Sequence, residues 1–419
     1  VTGRKLRLPG DMEQIEITRL GARGDGIGTG PDGDVFAART LPGELVHGEV
    51  VDGRMGAPKI DRPSGMRVKP VCPHYSRCGG CAVQHASDGF VADWKREIVA
   101  RALGAHGIEA SLHTVATSAP GSRRRAVYGL RRTKSGVQIG FHGRADATIV
   151  DAPDCAVLHP DLLSVRGALL ELALLGASRK GEVRAGVTVT EGGVDVDIRE
   201  AKPLETARIA EAVAVVHGHR LARLTWNGEV VAQRRPPVIR LGGVPVQVPP
   251  GAFLQATEDG EATLRAGVEE AIGDAGPVVD LFAGCGTFAL PLARRVPVRA
   301  FEGEKELLDA LHAAWRAGDG MRPLTVERRD LFRRPLLPLE LKGVAAAVID
   351  PPRAGAEAQM RCLAEARVPL IASVSCNPVT FARDTALLLS SGYRLDWVQV
   401  VDQFRWSSHV EVVARLSLA

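Results

Sequence analysis

A glycine loop between an apolar run and a helical pattern is the first candidate binding site. Gly284 and Gly286 follow Val278–Leu281, so the backbone can approach a ligand closely at the start of the next helix. The third glycine of a dinucleotide-binding loop is missing, because position 289 is Ala289. No Gly-Lys-Ser/Thr follows either, which excludes a phosphate-binding P-loop.

Two acidic positions limit the class of ligand that this loop can bind. Glu302 ends the next apolar run, twenty-two residues after Asp280, where a carboxylate can accept hydrogen bonds from both hydroxyls of a ribose. A further run is followed by Asp350-Pro351-Pro352-Arg353. Together these features predict a site for S-adenosylmethionine; the alternative is a turn that needs glycine only for packing.

Cys376 is the candidate nucleophile. It follows the apolar run Leu370–Val374, and catalytic groups collect at the carboxyl ends of such strands. A thiolate beside a methyl donor has a specific use, because its addition to C6 of uracil makes C5 nucleophilic enough to attack a sulfonium methyl. A free cysteine is otherwise usually a small buried apolar residue, and we interpret Cys285 and Cys362 in that way.

This chemistry also needs a base, because the C5 proton must leave before the thiolate can. Glu411 lies among β-branched residues close to the end of the sequence, on the same face of a predicted strand as His409 and Val413. We therefore predict that Glu411 is the base; the alternative is an ordinary surface carboxylate.

Cys72, Cys78 and Cys81 lie within ten residues of one another. A disulfide framework would spread its cysteines along the chain, and the N-terminus carries no apolar signal region. We therefore expect a metal-ligating loop in a reducing, cytoplasmic protein.

Three kinds of pattern predict the elements that position these residues. Short apolar runs with glycine-rich turns over 11–68 predict a small β-barrel. Helical spacing follows over 93–103, and residues 120–250 have the pattern of mixed strands, with hairpins around 191–193 and 227–228. From about 260, strands alternate with helices, which predicts a parallel sheet with both faces covered.

Composition and net charge limit the classes of protein to which the chain can belong. The 419 residues are 45% hydrophobic and 24% charged, which is ordinary for a globular protein, and no apolar run is long enough to span a membrane. The net charge is only +4 despite 53 Lys and Arg, so a polyanion-binding surface has to be local. The sequence starts at Val1, which leaves open whether residues precede it.

The ordered motifs resemble the RNA (uracil-5-)-methyltransferases, in particular the branch with a TRAM barrel and an iron–sulfur cluster. The resemblance covers essentially the whole chain and rests on these segments: Leu41–Glu44, Cys72–Cys81 with Gln84 and His85 behind it, Gly140 and Phe141, Ile149–Asp151 and Cys155, Phe253 and Gln255, Asp280–Gly286, Asp350–Arg353, Ser375–Pro378, and His409–Glu411.

The resemblance implies an α/β fold with a class I (Rossmann-like) methyltransferase domain over 251–419. It also implies an OB-like TRAM barrel that binds RNA over 1–68, and a central mixed α+β domain with an iron–sulfur loop over 69–250. Cys376 would be the nucleophile and Glu411 the base. The residues implied in the S-adenosylmethionine site are Gln255, Phe282, Thr287, Glu302, Asp330 and Asp350.

A [4Fe–4S] cluster on Cys72, Cys78, Cys81 and Cys155 follows from the same resemblance. From the residues alone, four thiolates can equally hold zinc. The five-residue spacing between Cys72 and Cys78 differs from the usual zinc spacing and favours the cluster. It also differs from the spacing of radical methylases, so we expect a structural cluster.

The predicted RNA face is the run Arg123, Arg124, Arg125, Arg131, Arg132 and Lys134, which contains no acid. Such a run is otherwise an ordinary solvated face. Trp406 and Phe141 are candidates for stacking on one base each, and Trp406 lies in a loop over 402–408 that departs from the relatives' pattern.

We predict S-adenosylmethionine-dependent methylation of uracil C5 in 23S ribosomal RNA. The alternatives are the same reaction on transfer RNA, and a non-catalytic RNA-binding protein. We expect no membrane association and see no sign of an obligate protein partner.

Overall fold

The computed structural model describes residues 12–144 and 146–419. The first eleven residues of the predicted barrel lie outside this range. Among the described residues, no helix combines the length and apolarity that a membrane span requires.

The N-terminal strands close into a barrel, as the turn pattern predicts. β1 pairs with both β2 and β4, while β3 pairs with β2 and β5, and β5 returns to β4. Ile17 and Val46 are fully buried in its interior. The strands are β1 (Met12–Leu20), β2 (Gly26–Gly30), β3 (Gly33–Ala37), β4 (Leu45–Val51), β5 (Arg54–Met55) and β6 (Lys59–Arg62), with β6 added beside β4.

The central part is a mixed sheet with helices. Both predicted hairpins are present, one joining β11 to β12 and the other joining β13 to β14. The elements are α1 (Asp88–Gly104), β7 (Ala116–Thr117), β8 (Arg125–Arg132), β9 (Val137–His142), β10 (Ile149–Val150), α2 (Pro160–Ser164), α3 (Arg166–Gly176), β11 (Val183–Thr190), β12 (Gly193–Arg199), α4 (Thr206–Gly218), β13 (Arg223–Trp226), β14 (Glu229–Gln233), β15 (Val238–Leu241) and β16 (Val244–Gln247). The sheet order is β10-β9-β8-β11-β12-β13-β14, and β15 and β16 form a separate hairpin.

The C-terminal part has the predicted alternation of strands and helices. Its elements are α5 (Glu258–Ile272), β17 (Val278–Leu281), α6 (Ala289–Leu292), β18 (Val298–Glu302), α7 (Lys305–Ala317), β19 (Leu324–Arg328), β20 (Ala346–Ile349), α8 (Glu357–Glu365), β21 (Leu370–Ser375), α9 (Pro378–Ser390), β22 (Tyr393–Asp402) and β23 (Glu411–Leu418). The sheet order is β19-β18-β17-β20-β21-β23-β22-β7. The strands from β17 to β21 are parallel, and β17, β20 and β21 at the centre of the sheet are almost entirely buried, as is typical of a parallel sheet covered on both faces.

Two elements from the middle of the chain attach to the C-terminal sheet. β7 pairs with β22 at its edge, and α1 packs against α9 and β22. The cysteine loop just before α1 is therefore held close to the end of β22. The two predicted domain boundaries, after residues 68 and 250, stay a prediction.

Candidate active site

The carboxyl ends of the parallel strands bring the predicted cofactor residues together. Leu281 of β17 is in register with Phe301 of β18 and with Ile349 of β20. The next residue on each strand is therefore at one edge of the sheet: Phe282, Glu302 and Asp350.

A cavity of about 350 Å³ opens at this edge. Five of the six predicted cofactor residues line it, namely Gln255, Phe282, Thr287, Glu302 and Asp350. The sixth, Asp330, lies in an adjoining groove that also contains Phe282, Glu302 and the half-exposed ring of Phe332. The 350 Å³ cavity is also lined by Phe253, Arg353, Cys376 and Glu411.

The glycine loop has a backbone that other residues adopt with difficulty. Phe282 has a φ of 64°, which is uncommon for a bulky residue and typical of functional sites. Gly284 donates its N–H to Glu302 Oε2 at 3.1 Å, so the loop and the acidic residue of the next strand are directly joined. At Gly286, with a φ of 99°, a Cβ atom would lie 2.2 Å from Leu311 Cδ1. The sequence therefore needs glycine at position 286.

The cavity is acidic and its carboxyl groups are poorly solvated. Burial raises the pKa of Asp350 to about 7. Burial and the neighbouring Asp350 raise the pKa of Asp280 well above its usual range. A bound cation would favour the ionised form of these groups, which suits the sulfonium of S-adenosylmethionine. The residues present therefore fit the predicted cofactor.

Cys376 lies in the short turn between β21 and α9. Asn377 caps α9, since its side chain accepts from the N–H of Val379, and its Nδ2 donates to the carbonyl of Arg353 at 2.8 Å. The turn that carries Cys376 is thus bound to the turn that carries Asp350 and Arg353.

Strand register explains why Cys376 and Glu411 are neighbours. β21 and β23 are antiparallel, and Ser375 is opposite Val412. One residue further in each direction brings Cys376 beside Glu411. Burial and the carboxyls of Glu411 and Asp350 raise the pKa of Cys376 to about 11. Burial and Asp350 raise the pKa of Glu411 to about 8.

A second cleft, of about 880 Å³, meets the cofactor cavity at Phe253, Arg353, Cys376 and Glu411. Its lining includes five arginines from all parts of the chain: Arg23 and Arg54 from the barrel, Arg123 and Arg144 from the centre, and Arg353 from the C-terminal part. The sequence analysis predicts RNA contact for Arg123 and places Arg353 in the Asp350–Arg353 motif. Arg23, Arg54 and Arg144 have no local signal, because only the fold brings them to one cleft.

The predicted RNA face over 123–134 needs correction. Arg124 is only 8% exposed and pairs with the buried carboxylate of Glu261, so it cannot contact a phosphate in solution. Arg131 pairs with Glu182, whereas Arg132 is exposed. Arg123 stacks on the ring of Phe404 and Arg125 stacks on the ring of Phe253. Alternation along 123–125, which leads into β8, thus separates the buried Arg124 from Arg123 and Arg125, although the run looks continuous in sequence.

The stacking prediction for Trp406 is wrong. The ring is 6% exposed and is covered by the guanidinium of Arg405. The backbone carbonyl of Trp406 accepts hydrogen bonds from the N–H groups of Ala82 and Val83. Residue 406 therefore joins the cysteine loop to the loop 403–410.

A buried lysine, Lys95 of α1, holds the same loop from beneath. Lys95 is fully buried, pairs with Asp402, and donates to the carbonyls of Phe404 at 3.2 Å and His409 at 2.9 Å. The helical pattern predicts α1 but gives no sign of this role, which depends on residues more than 300 positions away.

The four predicted cluster ligands are free thiols that influence one another. Burial, together with the other three cysteines, raises the pKa of Cys81 to about 12. Burial also raises the pKa values of Cys78 and Cys155, in each case with a contribution from Cys72. Within 12–144 and 146–419, however, no three His, Cys, Asp or Glu side chains form a group that could hold a metal ion. The predicted metal site is thus not confirmed.

Known proteins are similar to this chain over nearly its whole length. A family described as tRNA (uracil-5-)-methyltransferase matches residues 251–417. The 23S rRNA (uracil(1939)-C(5))-methyltransferase of Halomonas elongata is 33% identical, over 97% of this chain and 90% of that protein. The chain belongs to this uracil-5 RNA methyltransferase family. It is an S-adenosylmethionine-dependent RNA methyltransferase that acts on uracil C5.

Two further comparisons support the assignment of the methyltransferase and its fold. An uncharacterized RNA methyltransferase of Brucella suis is 42% identical, over 96% of this chain and 97% of that protein. The tRNA (uracil-54, C5)-methyltransferase of Pyrococcus abyssi, solved with S-adenosyl-L-homocysteine, is similar in structure, with a TM-score of 0.76 and 23% identity. That similarity covers 96% of this chain and 99% of the Pyrococcus protein, and it shows the fold.

Proposed function

We propose that the methyltransferase acts on 23S ribosomal RNA, with Cys376 as the nucleophile and Glu411 as the base. One observation carries the catalytic assignment: Cys376 and Glu411 lie where the cofactor cavity meets the arginine-lined cleft. A uracil that enters from the cleft therefore reaches the thiol and the methyl donor from the same side.

The chain's own residues account for each step. As Cys376 Sγ bonds to C6, the C5=C6 double bond opens and its electrons become available at C5. S-adenosylmethionine, when bound, supplies the methyl group to C5. Glu411 then takes the C5 proton, the C5=C6 bond re-forms, and the C6–Sγ bond breaks with release of the thiolate.

Charge in the pocket controls when these groups ionise. The raised pKa of Cys376 keeps the thiol protonated before substrate and cofactor bind. The guanidinium of Arg353 acts in the opposite sense, and it lowers the pKa values of both Cys376 and Glu411. The cationic cofactor would act in the same direction as Arg353. Binding of the methyl donor would therefore increase the fraction of Cys376 present as thiolate.

The cleft is suited to an RNA strand with the target base turned outward. Arg23, Arg54 and Arg353 are exposed along it and can neutralise phosphates. Phe253 is 65% exposed at the junction of the two cavities and can stack on a base. The target uridine must leave its stack to reach Cys376, so a looped or single-stranded site is expected.

Similarity favours ribosomal RNA over transfer RNA. The Halomonas elongata protein, which its name places on 23S rRNA, matches nearly the whole chain at 33% identity, whereas the Pyrococcus abyssi protein supports only the fold. The test is incubation with methyl-labelled S-adenosylmethionine and either unmodified bacterial 23S rRNA or total tRNA. We expect label at one uridine of the 23S rRNA, identified as 5-methyluridine by mass spectrometry. Label in tRNA alone would contradict the assignment of 23S rRNA as the substrate, but not the methylation of uracil C5.

We also propose a structural [4Fe–4S] cluster on Cys72, Cys78, Cys81 and Cys155. Cys81 is influenced electrostatically by Cys72, Cys78 and Cys155, and Cys155 by Cys72 and Cys78, so the four thiols lie near one another. Four cysteine thiolates are the donor set that a [4Fe–4S] cluster takes. Donors also face the sulfurs: the N–H of Gly80 toward Cys78, and those of Val157 and Leu158 toward Cys155.

Anaerobically purified protein is expected to be brown, with about four iron and four sulfide per chain. Cys155→Ser should lose most of the iron and the visible absorption band, whereas Cys362→Ser, which changes a thiol outside the group, should retain both. A colourless protein with about one zinc per chain would contradict the cluster.

A further inference from the structure

Gln403 connects two groups of the active site. It follows β22, is 2% exposed, and lies between Gln255 and Glu411. Its Oε1 accepts from the N–H of Ala256 at 2.7 Å, and its Nε2 donates to Gln255 Oε1 at 2.5 Å. Val401, two residues earlier, pairs with Glu411 across β22 and β23, and the Gln403 side chain lowers the pKa of Glu411 as a hydrogen-bonding neighbour.

One backbone N–H determines which way both amides point. The N–H of Ala256 can only donate, so the atom of Gln403 that faces it must be the oxygen. The amide nitrogen of Gln403 then faces Gln255 and Glu411, which both present oxygen. Gln255 must in turn direct its own Nε2 away, toward Asp350 Oδ2 at 3.5 Å. The cofactor cavity thus receives Gln255 as a donor.

The carboxyl of Glu411 is surrounded by groups from several turns of the sheet edge. Asp350 and Arg353 follow β20, Cys376 follows β21, and Gln403 follows β22. Burial and Asp350 disfavour ionisation of Glu411, whereas Gln403 and Arg353 favour it. Gln403 is the uncharged member of this set that lowers the pKa of the Glu411 carboxyl.

We propose that Gln403 is a positioning residue for proton removal from C5, holding the Glu411 carboxylate and fixing the orientation of the Gln255 amide. This inference rests on the proposed roles of Cys376 and Glu411. It predicts that Gln403 matters most for the step in which the methylated adduct is resolved, since that step requires an ionised, correctly placed carboxylate.

The test is the pH dependence of adduct resolution in a single turnover, followed on denaturing gels with wild type and Gln403→Met. Methionine fills a similar volume but cannot donate to Glu411. Loss of a hydrogen bond to a charged group should raise the pKa of Glu411, so resolution should require a pH higher by roughly one unit. At neutral pH the rate of adduct resolution should fall about tenfold.

A matched control removes a buried amide elsewhere in the same sheet domain. Gln359 is 1% exposed and binds the backbone of Leu336, away from both cavities. Gln359→Met should lower the melting temperature without moving the pH profile. Gln403→Asn, which keeps an amide too short to reach its partners, should reproduce the shift if the methionine variant does not fold.

Different outcomes would contradict the role of Gln403 and the roles of Cys376 and Glu411. If wild-type enzyme forms an adduct and both Gln403 variants resolve it with the wild-type pH profile, the positioning role is wrong and the catalytic assignment stands. If wild-type and Glu411→Gln enzymes form no adduct at all, the proposed mechanism itself is wrong.

Discussion

Cys376→Ala is expected to abolish methylation of RNA, with a fall in rate of roughly 10⁴-fold or more. Without the thiol, C5 of uracil stays a poor nucleophile. Among the described residues, Cys285 lines only the cofactor cavity and Cys81 only the cleft, so neither lies at the junction of the two. Affinity for S-adenosylmethionine should change little, because the cofactor residues lie on the neighbouring strands. Label transfer from methyl-labelled cofactor and calorimetric binding together measure both effects.

The control for this variant is Cys362→Ala. Cys362 lies on α8 within the apolar packing and away from both cavities. It should retain full activity, with a small loss of stability from the deleted sulfur. Substantial turnover by Cys376→Ala would exclude the covalent mechanism.

Glu411→Gln is expected to stop turnover after a single methyl transfer and to leave the protein attached to its RNA. Glutamine has nearly the same shape but cannot accept the C5 proton, so the C6–Sγ bond cannot break. The adduct should survive denaturant and appear as a band of reduced mobility. Product formation should be limited to about one methyl group per enzyme.

The matching double variant, Cys376→Ala with Glu411→Gln, should form no such band. A Glu411→Gln enzyme that turns over at the wild-type rate would show that another group removes the proton. The closest alternative on this geometry is Asp350, whose pKa of about 7 also permits it to act as a base.

The sequence predicts the sheet-edge part of the site because strand ends are local features. Phe282, Glu302, Asp350 and Cys376 each follow a buried apolar run, and parallel strands bring such positions to one edge. Glu411 arrives there by a different route, since its strand runs antiparallel and contributes its first residue.

The RNA side of the molecule is less predictable from sequence. A run of basic residues does not reveal which guanidiniums are buried, and Arg124 pairs with the buried carboxylate of Glu261. Arg23, Arg54 and Arg144 come from loops and strands far apart in sequence, so their convergence depends on how the barrel lies against the rest.

Buried polar contacts are the least visible in sequence. Lys95 has the pattern of an exposed helical residue, yet its ammonium holds the loop 403–410. Gln403 lies in a segment whose composition is typical of a loop, but the backbone N–H of Ala256 fixes the orientation of its amide. Neither role can be inferred without the pairing partner.

The measurement that bears most directly on the covalent mechanism is mass spectrometry of the adduct formed by Glu411→Gln. After digestion with protease and ribonuclease, we predict one cross-linked peptide that contains Cys376 and carries a methylated uridine. A nucleotide attached to any other residue, or an RNA complex that dissociates in denaturant, would contradict the roles of Cys376 and Glu411.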